Sequence, residues 1–87
     1  MNIDDCINLL EQGKVNKFRE LLKICEVYFG KYRIKGSHHI FKTPWQGDPR
    51  INLQKGKGNS AKPYQVKQAL EALHKLKHLE KETAKNE

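Results

Sequence analysis

The sequence contains little that would place this protein in a membrane or outside the cell. Its 87 residues include no apolar run approaching the roughly 20 residues that a helix needs to span a bilayer. Residues 1–5, Met-Asn-Ile-Asp-Asp, are acidic and lack the basic-then-apolar order of a secretory signal peptide. We therefore expect a cytoplasmic protein, and the length allows one small domain with a single modest core.

Cysteine is scarce, and its placement excludes two kinds of site. Cys6 and Cys25 are far apart and form no CxxC pair, so the sequence contains neither a zinc ribbon nor a disulfide framework. Both stand among apolar residues at helical spacing, which predicts reduced thiols in the core. His74 and His78 are four residues apart and could share a metal ion, but no third ligand is evident and their charged neighbours favour a solvated helix surface. We expect no metal and no cofactor.

Acidic residues are nearly missing from the middle of the chain. From Lys31 to Lys67, nine lysines and arginines are accompanied by a single carboxylate, Asp48, although the whole chain has 17 basic and 10 acidic residues. A basic block confined to one part of a small domain is typical of proteins that bind a polyanion. A surface that merely keeps the protein soluble would show the same excess, so the charge leaves both interpretations open.

Apolar residues at helical spacing predict three helices. They are residues 3–12, residues 16–29 with Asn16 as N-cap, and a segment that begins near Pro63. From about Glu80 the chain has no apolar face. Residues 80–87 are therefore expected to form a frayed or disordered tail behind a single domain at 1–79.

Between the second and third helices, apolar and polar residues alternate as in half-buried strands. The predicted strands are residues 31–35, 38–43 and 50–54, and a Gly36-Ser37 turn joins the first two. In the first strand, Tyr32 and Ile34 are expected to point inward. Helices before and after a run of strands indicate an α+β domain, with a three-stranded antiparallel sheet and the helices on one face.

Two adjacent histidines, His38 and His39, open the second predicted strand. Histidine is the usual proton shuttle of enzymes that lack a metal, because its unperturbed pKa is close to neutrality. Side chains alternate along a strand, so His38, Ile40 and Lys42 share one face, and His39 shares the other with Phe41. Burying Phe41 rather than Lys42 leaves His38 exposed beside a cation and turns His39 toward the core. On the residues alone, two ordinary strand histidines, one solvated and one packed, are the more frequent arrangement.

Trp45 lies in a loop bounded by Pro44 and Pro49. An accessible indole in such a loop would stack on a nucleic-acid base or bind a protein partner. The same ring could instead cover the small core. The sequence does not separate these three alternatives.

The run Gly-Ser-His-His-Ile-Phe-Lys-Thr-Pro at 36–44 resembles the signature of HicA-type toxins, which are small ribonucleases of bacterial toxin–antitoxin modules. The similarity extends through the preceding helix and through Lys-Pro-Tyr-Gln-Val-Lys-Gln-Ala-Leu at 62–70, and it covers roughly residues 16–76. The chain departs from the family after the third strand. Many members carry Pro-x-His there, and this chain reads Gln-Lys-Gly-Lys at 54–57, so no role of that second histidine is transferred to it.

The resemblance implies a fold, an activity and a partner. The fold is α-β-β-β-α, similar to a double-stranded-RNA-binding domain, here with an extra N-terminal helix. The activity is metal-independent cleavage of messenger RNA by one essential histidine on the strand after the Gly-Ser turn. The matching position is His38, and some members use the position that corresponds to His39. The implied partner is a HicB-type antitoxin, which we expect to cover His38 and to contact Trp45.

Residues around His38 are expected to bind RNA, because cations stabilise the charge that develops on phosphorus. They are Lys35, Ser37, Lys42, Arg50, Lys55, Lys57 and Lys62. The alternative is a non-catalytic RNA-binding module of the same fold, in which the basic block holds phosphates and the histidines are incidental. The two functions differ in whether activity depends on His38.

Overall fold

The computed structural model describes residues 2–86, with side chains described through Glu82. Its elements follow the predicted order: α1 at Ile3–Glu11, α2 at Phe18–Phe29, β1 at Arg33–Lys35, β2 at His38–Phe41, β3 at Ile51–Gln54 and α3 at Pro63–Asn86. The strands form one antiparallel sheet in the order β1-β2-β3. A small α+β domain with three helices and a three-stranded antiparallel sheet is thereby confirmed. Of the helices described, none is both long and apolar enough to span a bilayer.

The pairing register gives the sheet two different faces. Residues directly opposite each other on neighbouring antiparallel strands point to the same face. Phe41 pairs with Ile51, and Leu53 lies two residues farther along β3 on the same side. These three side chains are buried, whereas His38 and Asn52 on the other face are exposed. One face therefore belongs to the core, and the other is open.

The helices cover the inner face of the sheet. α3 packs against both α1 and β3, and α2 packs against β2 and α3. Apolar burial removes surface from water and is the main stabilising contribution in a domain of this size. The buried apolar residues are Cys6, Ile7, Leu10, Val15, Phe18, Leu21, Cys25, Phe41, Ile51, Leu53, Ala69, Ala72 and Leu73.

β1 differs most from the sequence prediction. In the register, Ile34 lies in one row with His39 and Leu53, so it does point to the inner side of the sheet. Its exposed fraction is nevertheless 64%, and the prediction of a half-buried Ile34 is wrong. The physical reason is helix coverage, because the main helix contacts of the sheet are with β2 and β3. Tyr32 stands before β1 and is half-buried, with its ring centroid 5.5 Å from that of Phe41.

Two element boundaries also differ. α2 begins later than predicted, with Lys17 at the N-cap position and no side-chain capping bond. Asn16, the predicted cap, instead accepts a backbone hydrogen bond at its carbonyl from Ala61 N–H at 2.8 Å. α3 is helical to Asn86. The fraying expected at 80–87 concerns the stability of the last turns and stays a prediction.

Both cysteines are free thiols buried in the core, as predicted from their apolar surroundings. Burial raises the pKa of the Cys25 thiol to about 12. A thiol is a nucleophile only as the thiolate, so Cys25 is inert at neutral pH. Cys25 is therefore not a candidate nucleophile.

Candidate functional site

His38 begins β2 directly after the Gly36-Ser37 turn, and its side chain is exposed on the open face. Gly36 has a φ of +61°, a conformation that residues with a Cβ rarely adopt, so glycine allows the tight turn. His38 Nδ1–H donates to Asn52 Oδ1 on β3 at 2.9 Å, since the amide oxygen can only accept. A neutral ring protonated at Nδ1 carries its lone pair on Nε2. Nε2 is therefore the nitrogen that can accept a proton from a substrate.

His39 points the opposite way and is part of the core packing. Its ring lies edge-on to Phe18 at a centroid distance of 5.1 Å and to Tyr32 at 4.8 Å. Nδ1–H donates to the Leu53 carbonyl at 3.2 Å. The side chain is half-buried, as alternation along the strand predicts. These contacts hold His39 in the core packing, whereas the side chain of His38 is exposed to solvent.

The cation nearest to His38 in the register is Lys35. Lys35 pairs with His38 across the β1–β2 ladder, and His38 in turn pairs with Gln54 on β3, so the three side chains form one row on the open face. The predicted neighbour Lys42 is four residues along the chain, about 13 Å in an extended strand. Ser37, expected at the RNA surface, accepts a hydrogen bond at Oγ from Gln54 Nε2 at 2.7 Å, which ties the turn to β3.

An open depression of about 450 Å³ lies at the end of the sheet where β2 and β3 diverge, and it reaches onto the open face. Its wall includes Arg33, Lys42 and Arg50, and none of its lining residues, all in the described part of the chain, is acidic. Asn52 lines the depression and also holds the ring of His38. A cationic cavity without carboxylates favours a phosphate. We call it the phosphate depression.

Trp45 lines the phosphate depression, and its other contacts are with the loop and the core. Its Nε1–H donates to the Pro49 carbonyl at 2.9 Å, and its ring lies edge-on to Phe29 at 5.9 Å. Lys75 Nζ lies 4.9 Å from the ring centroid. The indole packs against the core, in agreement with one of the three sequence alternatives. Contact of Trp45 with a protein partner stays a prediction.

The remaining predicted RNA-binding lysines lie in the loop between β3 and α3. Lys55 directly follows Gln54, the partner of His38, so the loop leaves the sheet at the His38 end. Lys55 lines a separate concavity of about 290 Å³ together with Lys17 and Arg19 from the start of α2. Sequence analysis did not single out these two, because they lie outside the basic block and only the fold brings them to the loop.

Replacing Lys55 and Lys57 together with glutamine is expected to reduce the salt dependence of RNA binding. Each phosphate contact to a single strand adds about 0.7 to the slope of log affinity against log salt, so losing two contacts lowers the slope by about 1.4. Sequence preference should not change, because phosphate contacts position a strand without specifying its bases. Fluorescence anisotropy titrations at several salt concentrations measure both quantities.

The matched control removes the same charge elsewhere. Lys14 and Lys23 are exposed and lie outside the basic block, so their double glutamine variant should retain the wild-type slope. If the Lys55/Lys57 variant also keeps that slope, the loop is not part of the RNA surface.

Asn52 and Gln68 are site residues that sequence analysis did not single out. Asn52 N–H donates to Gln68 Oε1 of α3 at 2.9 Å. Gln68 therefore anchors the backbone of Asn52, the residue whose side chain orients the ring of His38. The sequence does indicate that Asn52 is a polar residue on the outward face of β3, because apolar and polar residues alternate along that strand. That signal does not say which residue of β2 lies beside it.

The two helix histidines considered as metal ligands lie apart from the open face. His74 Nε2 lies 3.8 Å from Glu11, and His78 Nε2 lies 3.1 Å from Glu82 one turn later. Their side chains are 55% and 71% exposed, which agrees with the predicted solvated surface. Within the described residues, no three His, Cys, Asp or Glu side chains converge on a point where a metal ion would fit.

Comparisons of this chain with protein-family models, with curated proteins and with solved structures find no match. What the open face can do follows from its own groups, which are a histidine with an acceptor nitrogen, a lysine in the same row and a cationic depression next to it. A proton acceptor beside cations suits a substrate that carries both a hydroxyl group and a phosphate.

Proposed function

We propose that this protein is a metal-independent endoribonuclease in which His38 is the general base. The observation that carries the proposal is the bond from His38 Nδ1–H to Asn52 Oδ1, which leaves Nε2 as the acceptor on an exposed side chain. The phosphate depression, with Arg33, Lys42 and Arg50, adjoins the same asparagine. A base and a phosphate site on one open face are the two parts that RNA cleavage requires.

The chemistry needs no further nucleophile, because RNA carries its own. Nε2 of His38 takes the proton of the 2′-hydroxyl, and the 2′-oxygen attacks the adjacent phosphorus. The bond from phosphorus to the 5′-oxygen breaks, and that oxygen takes up a proton from water, while the protonated His38 gives its proton to the hydroxide that remains. The products are a 2′,3′-cyclic phosphate and a 5′-hydroxyl. Lys35 and the cations of the phosphate depression stabilise the negative charge that grows on the phosphoryl oxygens.

We also propose the biological setting that the resemblance to HicA-type toxins implies. In that setting the domain has the fold of a double-stranded-RNA-binding domain with an added α1, it cleaves messenger RNA in the cytoplasm, and a HicB-type antitoxin neutralises it. The element order α2-β1-β2-β3-α3 and the exposure of His38 after the Gly36-Ser37 turn support this assignment. Because the side chain of His38 is exposed, a partner protein can cover it.

Expression of this chain alone in a bacterium is expected to arrest growth, because uncontrolled cleavage removes the messenger pool. Growth curves after induction, with northern blots of abundant messages, measure the arrest and its cause. His74→Ala is the matched control, since it deletes an exposed histidine on α3 and should arrest growth like the wild type.

Normal growth and intact messages, with the folded protein present at high level, would contradict the toxin assignment. Intact RNA after incubation with the purified protein would contradict the enzyme itself. Binding without cleavage would instead identify the non-catalytic RNA-binding module.

A further inference from the structure

Tyr64, in the first turn of α3, has an exposed fraction of 60%. Among the described residues, Val27 and Ile34 are the other large apolar side chains with comparable exposure. Tyr64 differs from them because it is aromatic and lines an open depression of about 350 Å³ between α3 and residues 48–50, which lead into the edge strand β3. We call this cavity the edge depression. An exposed aromatic ring at the wall of a polar cavity is a feature that a flat, unpaired nucleobase can use.

The edge depression has a different charge character from the phosphate depression. Its polar lining comprises Asp48, Arg50, Lys67, Gln68 and Glu71, so donors and acceptors are mixed and the formal charges balance. A phosphate offers only acceptors and favours a lining of cations. The edge of a base offers both donors and acceptors, and its face stacks on an aromatic ring. The edge depression therefore fits a base better than a phosphate.

The two depressions are neighbours that have one lining residue in common. Arg50 lines both of them. Gln68 lines the edge depression, and its Oε1 accepts from the backbone of Asn52, which holds His38 and lines the phosphate depression. Arg50 and the Gln68–Asn52 bond thus connect the surroundings of His38 with the wall that carries Tyr64.

A further cation lies at the ring of Tyr64 itself. Lys62 Nζ lies over one face of the ring, 5.8 Å from its centroid, so a base stacks on the opposite face. A base stacked at Tyr64 would therefore bring the phosphate attached to it close to an ammonium group. Lys62, predicted from the sequence to bind RNA, gains a specific place in this arrangement.

From these observations we infer that Tyr64 stacks an unpaired base of the RNA strand whose phosphate lies beside His38, with Asp48, Gln68 and Glu71 facing the edge of that base. The inference rests on the proposed function for the position of the cleaved phosphate. It specifies single-stranded RNA as the substrate class, because a base inside a duplex does not present its face to a side chain. Carboxylates on the wall favour bases with an exocyclic amino group, which can donate to them.

The test measures binding separately from cleavage. The probe is a fluorescein-labelled 12-mer oligonucleotide with 2′-O-methyl groups throughout, which has no 2′-hydroxyl nucleophile. Stacking on one aromatic ring is expected to make Tyr64→Ala bind about tenfold more weakly or worse, whereas Tyr64→Phe, which keeps the ring, retains affinity. The salt slope should not change in either variant, because no charge is removed. Arg50→Ala should lower that slope.

An abasic oligomer of the same length isolates the role of the base. Wild type and Tyr64→Ala should bind this oligomer equally, because it has a backbone but nothing to stack. If Tyr64→Ala loses the same affinity for both oligomers, Tyr64 acts through the fold. If it loses affinity for neither, the exposed ring does not bind RNA and is available to a protein partner. Both results overturn the inference. A thermal melt of each variant confirms that the domain is folded.

The outcomes also separate this inference from the proposed function. If Tyr64→Ala loses affinity for the base-bearing oligomer while unmodified RNA is never cleaved, the stacking site is confirmed and the enzyme assignment is wrong. If RNA is cleaved and the Tyr64 variants bind like the wild type, the enzyme assignment is confirmed and the stacking site is wrong.

Discussion

Replacing His38 with alanine is expected to lower the rate of RNA cleavage by about 10²–10⁴-fold, the usual contribution of a positioned general base. The loss should appear in the rate of single-turnover cleavage, with little change in affinity for uncleavable RNA, because the cations that hold phosphate remain. The side chain is exposed and contacts Asn52 at the surface, so the melting temperature should stay within a few degrees of the wild type. Added imidazole should restore part of the rate by taking the place of the missing ring.

The adjacent histidine provides the matched control for this experiment. His39→Ala removes the same group from the inner face, where it packs on Phe18 and Tyr32 and donates to the Leu53 carbonyl. Losing these contacts is expected to cost about 2 kcal/mol of unfolding free energy. In a domain of this size that corresponds to a fall in melting temperature of about 10 °C. Any protein that remains folded should still cleave RNA.

The opposite pattern would contradict the assignment. If His39→Ala abolishes cleavage in a folded protein and His38→Ala does not, the base is His39 and the open face is not the catalytic one. If neither variant slows cleavage, no histidine of β2 is the base, and the proposed mechanism is wrong.

The second large effect is expected from the substrate. An oligonucleotide with a single 2′-deoxyribose on the 5′ side of a mapped cleavage site should resist cleavage there completely, because the attacking oxygen is missing. Cleavage at unmodified positions should continue at the normal rate, which makes each oligonucleotide its own control. Mass spectrometry of the products from unmodified RNA should find a 2′,3′-cyclic phosphate, or the 3′-phosphate that its hydrolysis leaves.

A chelator provides a further test of the same mechanism. Excess chelator should not slow cleavage, since the proposed route uses no metal-activated water. An activity that chelator removes and that leaves 3′-hydroxyl ends would mean that a metal-bound water attacks phosphorus, and His38 would then not be the base.

Short-range patterns in the sequence determined which histidine faces the solvent. Alternation along β2, with the cost of burying a lysine, predicts Phe41 inside, His39 turned inward and His38 outside, and this is confirmed by their burial. The order of the elements followed from the same kind of signal. Such predictions work because the direction of a side chain relative to its neighbours is a property of the local backbone.

The same pattern was wrong for Ile34, because burial depends on what lies above a strand as well as on the direction of the side chain. Ile34 points to the inner side as alternation predicts, but the helices pack mainly on β2 and β3 and not on β1. Which strands the helices cover is decided by tertiary packing, and no local pattern in residues 31–35 reports it.

The surroundings of His38 were decided by the tertiary structure alone. Asn52 is 14 residues away in the chain, and it reaches His38 only because the register pairs His38 with Gln54 and Ile40 with Asn52. A shift of one residue would turn Asn52 to the inner face. The packing of α3 against β3 also brings Gln68 to Asn52, and Arg50 and Tyr64 to one depression. These contacts join residues far apart in the chain, and a sequence records the identity of each residue but not the pairing that the fold imposes.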